Sequence, residues 1–388
     1  MLNFTFHVPT TIYFGKGQVV ALEEELKARA KKVLIVTGRG SVKKHGIFDQ
    51  VIAQVKRAGA DYVELTGIQP NPRLKSIHKG IELCRKEEVD FILAAGGGST
   101  IDAAKAIAVG VKYKGDVWDF FEKKATPSDA LPVGTVLTLS ATGSEMNPNA
   151  VITNEKTKHK TAISTPLVRP VFSVLDPEYT FTVNKYHTAA GVADIMAHIF
   201  ENYLTPVPGS DVQDRMAEAL LKICIHYGPV VCEHPEDYNA RANIMWASSL
   251  ALNGTIGRGK ISDWACHAIE HEVSAYYDIS HGAGLAVLLP NWMRVILKQD
   301  RQQRFLEYGI NVWGVSRTEE KSDITFEAMD RTREFFDSLG LPSKLDEFKV
   351  IDEYFENMAD RIIETRPSME HFRQLSREDI IKILDMSL

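Results

Sequence analysis

The sequence predicts an α/β amino-terminal domain over residues 1–180 followed by an all-α domain over 181–388. Three observations carry this expectation. Short β-branched runs alternate with amphipathic helical patterns up to about residue 180, as in a parallel sheet with crossover helices. Beyond Pro177 the β-rich runs stop and helical periodicity takes over. A glycine cluster, Gly96-Gly97-Gly98, joins an apolar run to a helical pattern, as at a strand-to-helix turn.

The strands are expected at 11–14, 32–37, 62–65, 90–95, 133–140 and 171–176. Between them, segments beginning at Val19, Phe48, Arg73 and Thr100 have helical apolar spacing. Pro72 stands at the entry of the third, where a missing N–H costs nothing. In the second half, helices are expected over 190–204, 211–229, 238–254, 261–277 and 323–339. Ser376 with Asp379 reads as a cap pair opening a last helix.

Lys and Arg number 45 against 51 Asp and Glu, for a net charge of −6, and no dense basic stretch occurs, so nucleic acid is not an expected partner. The amino terminus has neither a basic start with an apolar run nor a small-residue cleavage signal. Apolar runs are strand-length, far short of the ~18 residues a membrane span needs. The four cysteines form no CxxC pair, which fits reduced thiols. A cytoplasmic location is expected. Cys266 adjoins His267, but neighbours point apart on a helix, so it is read as packing.

The Gly96–Ser99 turn allows backbone N–H groups to converge at a helix start, where about half a positive charge accommodates a diphosphate. A dinucleotide is the natural ligand; a glycine turn required only by packing is the alternative. No GxGxxG follows the first strand, which disfavours an ordinary Rossmann module. After strand 32–37, Gly38-Arg39-Gly40-Ser41 stands where an acidic residue in other NAD proteins would accept the ribose hydroxyls. Arg39, Ser41 and Lys43 suit a 2′-phosphate instead, which favours NADP(H) over NAD(H); a solvated basic turn is the alternative. Thr138, Ser140, Thr142 and Ser144 offer hydroxyls for amide, ribose or phosphate contacts, and Asn71 lies between two prolines in a rigid turn.

Five metal-binding side chains follow: Asp194 and His198, then His267 and His271, each pair four residues apart, and His281. A spacing of four places both side chains on one helix face, half of a metal site. Singly, each histidine could be a satisfied polar group; together they point to a metal.

With GGGS, ATGSE, Asp194-x3-His198 and His267-x3-His271-x9-His281 in order, the chain resembles the iron-containing, or group III, alcohol dehydrogenases over essentially its whole length. It looks most like the butanol dehydrogenase branch of NADPH-dependent aldehyde reductases. The resemblance implies a dehydroquinate synthase-like fold, with an α/β nucleotide domain, a helical metal domain and the active site in the cleft between them. It implies Asp194, His198, His267 and His281 as ligands of one divalent metal, Fe²⁺ or Zn²⁺, with His271 lining the site without ligating. Gly38, Ser41, Asn71, Gly97, Gly98, Ser99, Thr138, Thr142 and Lys160 are implicated in cofactor binding, and Asp102 in touching the nicotinamide end. Arg39 departs from the third glycine of close relatives and bears on the NADP contact. A homodimer is implied as well.

The expected activity is interconversion of short-chain aldehydes such as butanal and primary alcohols, with the metal as Lewis acid and His271 as proton relay. Three rivals remain at this point. A polyol dehydrogenase could occupy the same fold, and the HxxEH run 267–271 matches a zinc-peptidase motif. In the third, a nucleotide-binding protein uses the metal only as a staple.

Overall fold

The computed structural model describes residues 1–297, 302–317, 320–365 and 372–388. They form two compact units: His7–Val183 with Pro235–Ser249, and Met1–Phe6 with Asn184–His234 and Leu250–Leu388. The main division falls beside the boundary expected near 180, but two short segments belong to the opposite unit. Leu2 N–H donates to the Gly259 carbonyl at 2.9 Å, which ties the first residues to the helical unit.

The α/β unit contains β1 (Thr11–Phe14), α1 (Ala21–Arg29), β2 (Lys32–Thr37), α2 (Ser41–Lys44), α3 (Ile47–Arg57), β3 (Asp61–Leu65) and α4 (Leu74–Lys86). Next come β4 (Phe91–Gly96), α5 (Gly98–Val111), α6 (Trp118–Phe121), β5 (Val133–Leu137), β6 (Asn149–Asn154), β7 (His159–Ser164) and β8 (Phe172–Leu175). Six strands form a wholly parallel sheet in the order β1-β8-β5-β4-β2-β3. Period-two alternation sends Leu34, Val36, Ile92 and Ala94 to one core and Val33, Ile35, Phe91 and Leu93 to the other. Both faces are therefore apolar and covered, as a parallel sheet requires. Strand order reverses between β2 and β4, and ligands of such sheets bind at that switch point, outside the carboxyl ends.

Two features differ from the sequence expectation. The strand expected over 133–140 ends at Leu137, opposite Gly96, where its partner β4 also ends. An antiparallel hairpin, β6–β7, was not expected; it packs on α5, whose residues are buried nearly all round. Helices α4 and α5 approach closely, since a Cβ on Gly80 would stand 2.4 Å from Ile107 and one on Gly110 2.2 Å from Ile81.

The helical unit holds α7 (Lys185–Tyr203) and α8 (Asp211–Glu233), and α9 (Tyr238–Leu252) supplies its last residues to it. It continues with α10 (Ala265–Tyr277), α11 (His281–Ile296), α12 (Gln302–Asn311), α13 (Lys321–Ser338), α14 (Phe355–Thr365) and α15 (Arg377–Ser387). The side chain of Asn184 caps α7 by accepting from His187 N–H at 2.9 Å, so that helix begins earlier than residue 190. The helix expected from 261 begins at Ala265, because Asp263 N–H donates to the Glu201 carbonyl and its side chain caps Ala265 N–H. Ser376 and Asp379 form a reciprocal capping box on α15. Among the described residues no helix is long and apolar enough to cross a membrane.

Candidate functional site

Helix α7 carries Asp194, His198 and Glu201, and the spacing i, i+4, i+7 stacks them on one face. Helix α10 carries His267, Glu270 and His271, and His281 opens α11. Asp194 Oδ1 lies 3.6 Å from His198 Nε2, 3.7 Å from His267 Nε2 and 3.6 Å from His281 Nε2. Ligand atoms around a tetrahedral ion with bonds near 2.1 Å stand about 3.4 Å apart, so each of the three histidine nitrogens stands from Asp194 Oδ1 at the spacing of a coordination shell. Asp194, His267 and His281 also lie mutually within 4.8 Å, a group that His198 joins only through Asp194. Asp194 Oδ1 and His267 Nε2 are buried without a hydrogen-bond partner among the described residues, a costly condition that a cation relieves. Three imidazoles and a carboxylate suit Fe²⁺ or Zn²⁺.

Two further carboxylates hold the imidazoles. Glu201 and Glu270 are both fully buried, and they contact Nδ1 of His267 and of His281 respectively. Glu201 also accepts the Cys266 N–H at 2.8 Å and the His267 N–H at 3.3 Å, which satisfies donors at the start of α10. The rings of Trp264 and His267 are 5.5 Å apart, edge to face.

The electrostatics follow from this crowding. Burial alone would raise the Asp194 carboxyl, yet the imidazoles of His198, His267 and His281 outweigh it and hold the group well below the carboxylate range. Burial lowers His198 to about 3, which keeps it neutral and able to ligate. Burial would also lower His267, but Glu201 and Asp194 lift it to about 9. A divalent ion bound here would take over the positive charge those two carboxylates demand and let His267 be neutral.

His271 is buried beside this cluster, its ring centroid 5.4 Å from that of His281 and 6.4 Å from that of His267. A nitrogen of His271 groups with Glu270 and His281, whereas Asp194 groups with His267 and His281. The peptidase motif needs Glu270 as a free base. Here its carboxylate is fully buried and bonded to His281 and Ser274, so the motif is incidental.

In the α/β unit, the residues expected to bind the cofactor gather mostly at the carboxyl ends of β2, β4 and β5. Gly38 follows β2, Gly97 caps α5, and Gly98 and Ser99 form its first turn. Gly98 has no room for a side chain, since a Cβ there would stand 2.2 Å from Thr142 Oγ1. Thr138 and Thr142 follow β5, and Thr138 N–H donates to the Gly96 carbonyl at 3.1 Å. Arg39 is exposed and Ser41 opens α2. Asn71, at φ 51°, follows β3, whose exit is tied to that of β2 by Ile68 N–H donating to the Thr37 carbonyl, and Lys160 lies on β7, where Thr153, opposite it, donates its N–H to the Pro72 carbonyl. Asp102 is turned inward, accepting from Ser144 Oγ at 2.6 Å and Val151 N–H at 3.0 Å.

Sequence reasoning missed three buried polar residues. Glu201 was signalled by its place three residues after His198. Lys105, with no exposed surface, donates to Ser144 Oγ, to the Asn147 carbonyl and side chain, and to the Asn149 carbonyl at 2.8–3.1 Å. Glu145 accepts from Ser249 Oγ at 2.5 Å.

A glycine-lined phosphate turn at a switch point, in a chain that also carries a three-histidine, one-carboxylate cluster, defines the class of metal-dependent nicotinamide oxidoreductases. Residues 9–177 match the family model for iron-containing alcohol dehydrogenase, and residues 188–388 match the model for the carboxyl-terminal part of that family. The chain belongs to the iron-containing alcohol dehydrogenase family. It is 49% identical over 388 residues to NADH-dependent butanol dehydrogenase A of Clostridium acetobutylicum, covering all of both chains. It is 41% identical to the NADPH-dependent aldehyde reductase YqhD of Escherichia coli, over 90% of this chain and 89% of the relative. The crystal structure of NADH-dependent butanol dehydrogenase A from Thermotoga maritima superposes with a TM-score of 0.96 at 38% identity, covering 100% of this chain and 99% of that one. The chain is an alcohol dehydrogenase that interconverts alcohols and aldehydes with a nicotinamide cofactor and a metal.

Proposed function

We propose that the chain reduces short-chain aldehydes such as butanal to primary alcohols, with a divalent ion held by Asp194, His198, His267 and His281. The observation that carries the assignment is the placement of three histidine Nε2 atoms 3.6–3.7 Å from Asp194 Oδ1. When bound, the ion supplies a Lewis acid for the carbonyl oxygen and the reduced nicotinamide supplies the hydride. The chain's residues do the rest. With Asp194 the only carboxylate among the four proposed ligands, and Glu201 and Glu270 one imidazole further out, the ligand shell itself stays positive toward a substrate oxygen with growing negative charge. His271, outside the ligand set, delivers the proton the alcohol product requires. Gly97, Gly98 and Ser99 present backbone N–H groups to the diphosphate, flanked by Thr138 and Thr142.

NADP(H) is the proposed preferred cofactor. The Gly38–Ser41 loop carries no carboxylate, and Arg39 is exposed and able to meet a 2′-phosphate. Lys43 is less available, because it is paired with Glu64 at 2.6 Å. A relative at 49% identity is named NADH-dependent and one at 41% NADPH-dependent, so the loop itself must be tested. A homodimer is proposed from β1, a sheet edge flanked by the exposed rings of Phe14 and Trp246. A cytoplasmic location is proposed with it, consistent with four buried cysteines, none of them in a disulfide among the described residues.

The test is a turnover matrix of NADPH and NADH against aldehydes from ethanal to hexanal, on protein whose metal is identified by mass spectrometry. Butanal reduction with a higher kcat/KM for NADPH is expected. Equal or better NADH efficiency overturns the cofactor preference, and absence of aldehyde reduction with both cofactors overturns the function.

A further inference from the structure

We infer that Glu201 and Glu270 dictate which nitrogen of His267 and His281 faces the ion, and that they do so unequally: an amide can replace Glu270 but not Glu201. The inference rests on the four-residue metal assignment proposed above.

An imidazole offers one nitrogen to a cation when the other carries the proton, and the partner of that other nitrogen selects the tautomer. In both histidines Nδ1 meets a fully buried carboxylate, Oε2 of Glu201 for His267 and Oε2 of Glu270 for His281. Both Nδ1–H groups donate, and both Nε2 lone pairs are left toward Asp194 Oδ1, at 3.7 and 3.6 Å.

The second oxygens differ in what they meet. Oε1 of Glu201 accepts two backbone N–H groups, from Cys266 at 2.8 Å and His267 at 3.3 Å. These donors are fixed by the first turn of α10 and cannot become acceptors. An amide at 201 must therefore keep its oxygen on them and turn its NH₂ toward His267 Nδ1. That nitrogen would then accept, and the ring proton would move to Nε2, where the ion binds. The flipped amide points NH₂ at two N–H groups, which is no better. Oε1 of Glu270 instead meets the Ser274 hydroxyl, which can accept as well as donate. The Ser274 proton has a second acceptor, the Ile279 carbonyl at 3.4 Å. An amide at 270 can thus keep its oxygen on His281 Nδ1–H and direct its NH₂ to Ser274, preserving the tautomer.

The experiment strips the protein of metal and titrates Zn²⁺ against a chromophoric chelator, for wild type, Glu201→Gln, Glu270→Gln and Asp194→Ala. Glu201→Gln is expected to weaken Zn²⁺ about 10- to 100-fold, and Glu270→Gln by less than about tenfold. Equal losses in the two amide variants, or a larger loss in Glu270→Gln, overturn the inference. The Glu201 variant also alters a helix start and could fail to fold, so ¹⁵N-histidine NMR of Zn²⁺-loaded wild type is a second measurement. It must show protonated Nδ1 and ligated Nε2 in both His267 and His281, and ligation through Nδ1 overturns the inference. Wild-type affinity in Asp194→Ala would instead sink the metal assignment, whereas loss there with none in Glu201→Gln sinks this inference alone.

Discussion

Glu145 has no exposed surface; Ser249 donates to one carboxyl oxygen, and the other has no hydrogen-bond partner among the described residues. Burial raises its carboxyl above the ordinary 4.5, more than Ser249 and the nearby Lys105 lower it. Between the unfolded and folded values the native state binds the extra proton. The contribution to stability is therefore full below the unfolded value and is lost as pH rises through the folded one. Glu145→Gln removes that titration, so the variant's Tm should gain on wild type as pH rises above the ordinary carboxyl range. Thermal melts at fixed metal occupancy check this, and a difference that is flat or falls with pH contradicts it. At His271, replacement by Ala should lower kcat about 10²-fold or more while metal per subunit, read by mass spectrometry, stays unchanged. Loss of metal would place His271 among the ligands. That Asp194 and the histidines cluster was legible because residue types able to hold a metal recur there at fixed helical spacing. Glu201 carried a weaker signal, its place three residues after His198, because a glutamate on a helix is ordinarily a solvated one; the approach of α10 shows its use.

Among elements, β2 and β4 were readable because a sheet covered on both faces makes them continuously apolar, and α3 because Ile47, Val51 and Val55 recur on one side. The hairpin was hidden: its turn, residues 155–158, has no Gly or Pro, and the face that carries Ala150, Ile152 and Ile163 into the core is interrupted by Thr161, opposite Ile152. The hairpin lies on α5, where Lys105 donates to the Asn149 carbonyl and Asp102 accepts from Val151 N–H. Helix α11 was hidden for another reason. It is apolar nearly all round and contains Gly282, Gly284 and Pro290; a Cβ on Gly282 would stand 2.0 Å from the Ala190 carbonyl oxygen. The start of α5 is equally tight, so Gly98→Ala should cost about 1–3 kcal/mol of stability. It should also raise KM for the nicotinamide cofactor with a smaller change in kcat. Urea unfolding and initial-rate kinetics read the two effects, and an unchanged KM would remove Gly98 from the cofactor loop.

At the scale of the molecule, the proposed ligands come from three helices, α7, α10 and α11, so the ion ties segments far apart in the sequence. Binding to the folded state alone adds about 4 kcal/mol when free metal is a thousandfold above Kd. Chelation should therefore lower Tm, and Zn²⁺ or Fe²⁺ should restore it in a concentration-dependent way, as scanning calorimetry would read. A Tm indifferent to chelator would argue against a structural contribution from the cluster. The chain passes between its two units after residues 6, 183, 234 and 249, and this has a consequence for biosynthesis. Met245 belongs to the α/β core and Ser249 bonds Glu145, yet a ribosome delivers them only after residues 184–234 have been made. During translation the sheet must wait with its seat for Met245 open, and a fragment ending at residue 183 would keep that seat exposed. Neither unit is a module that a single cut could excise.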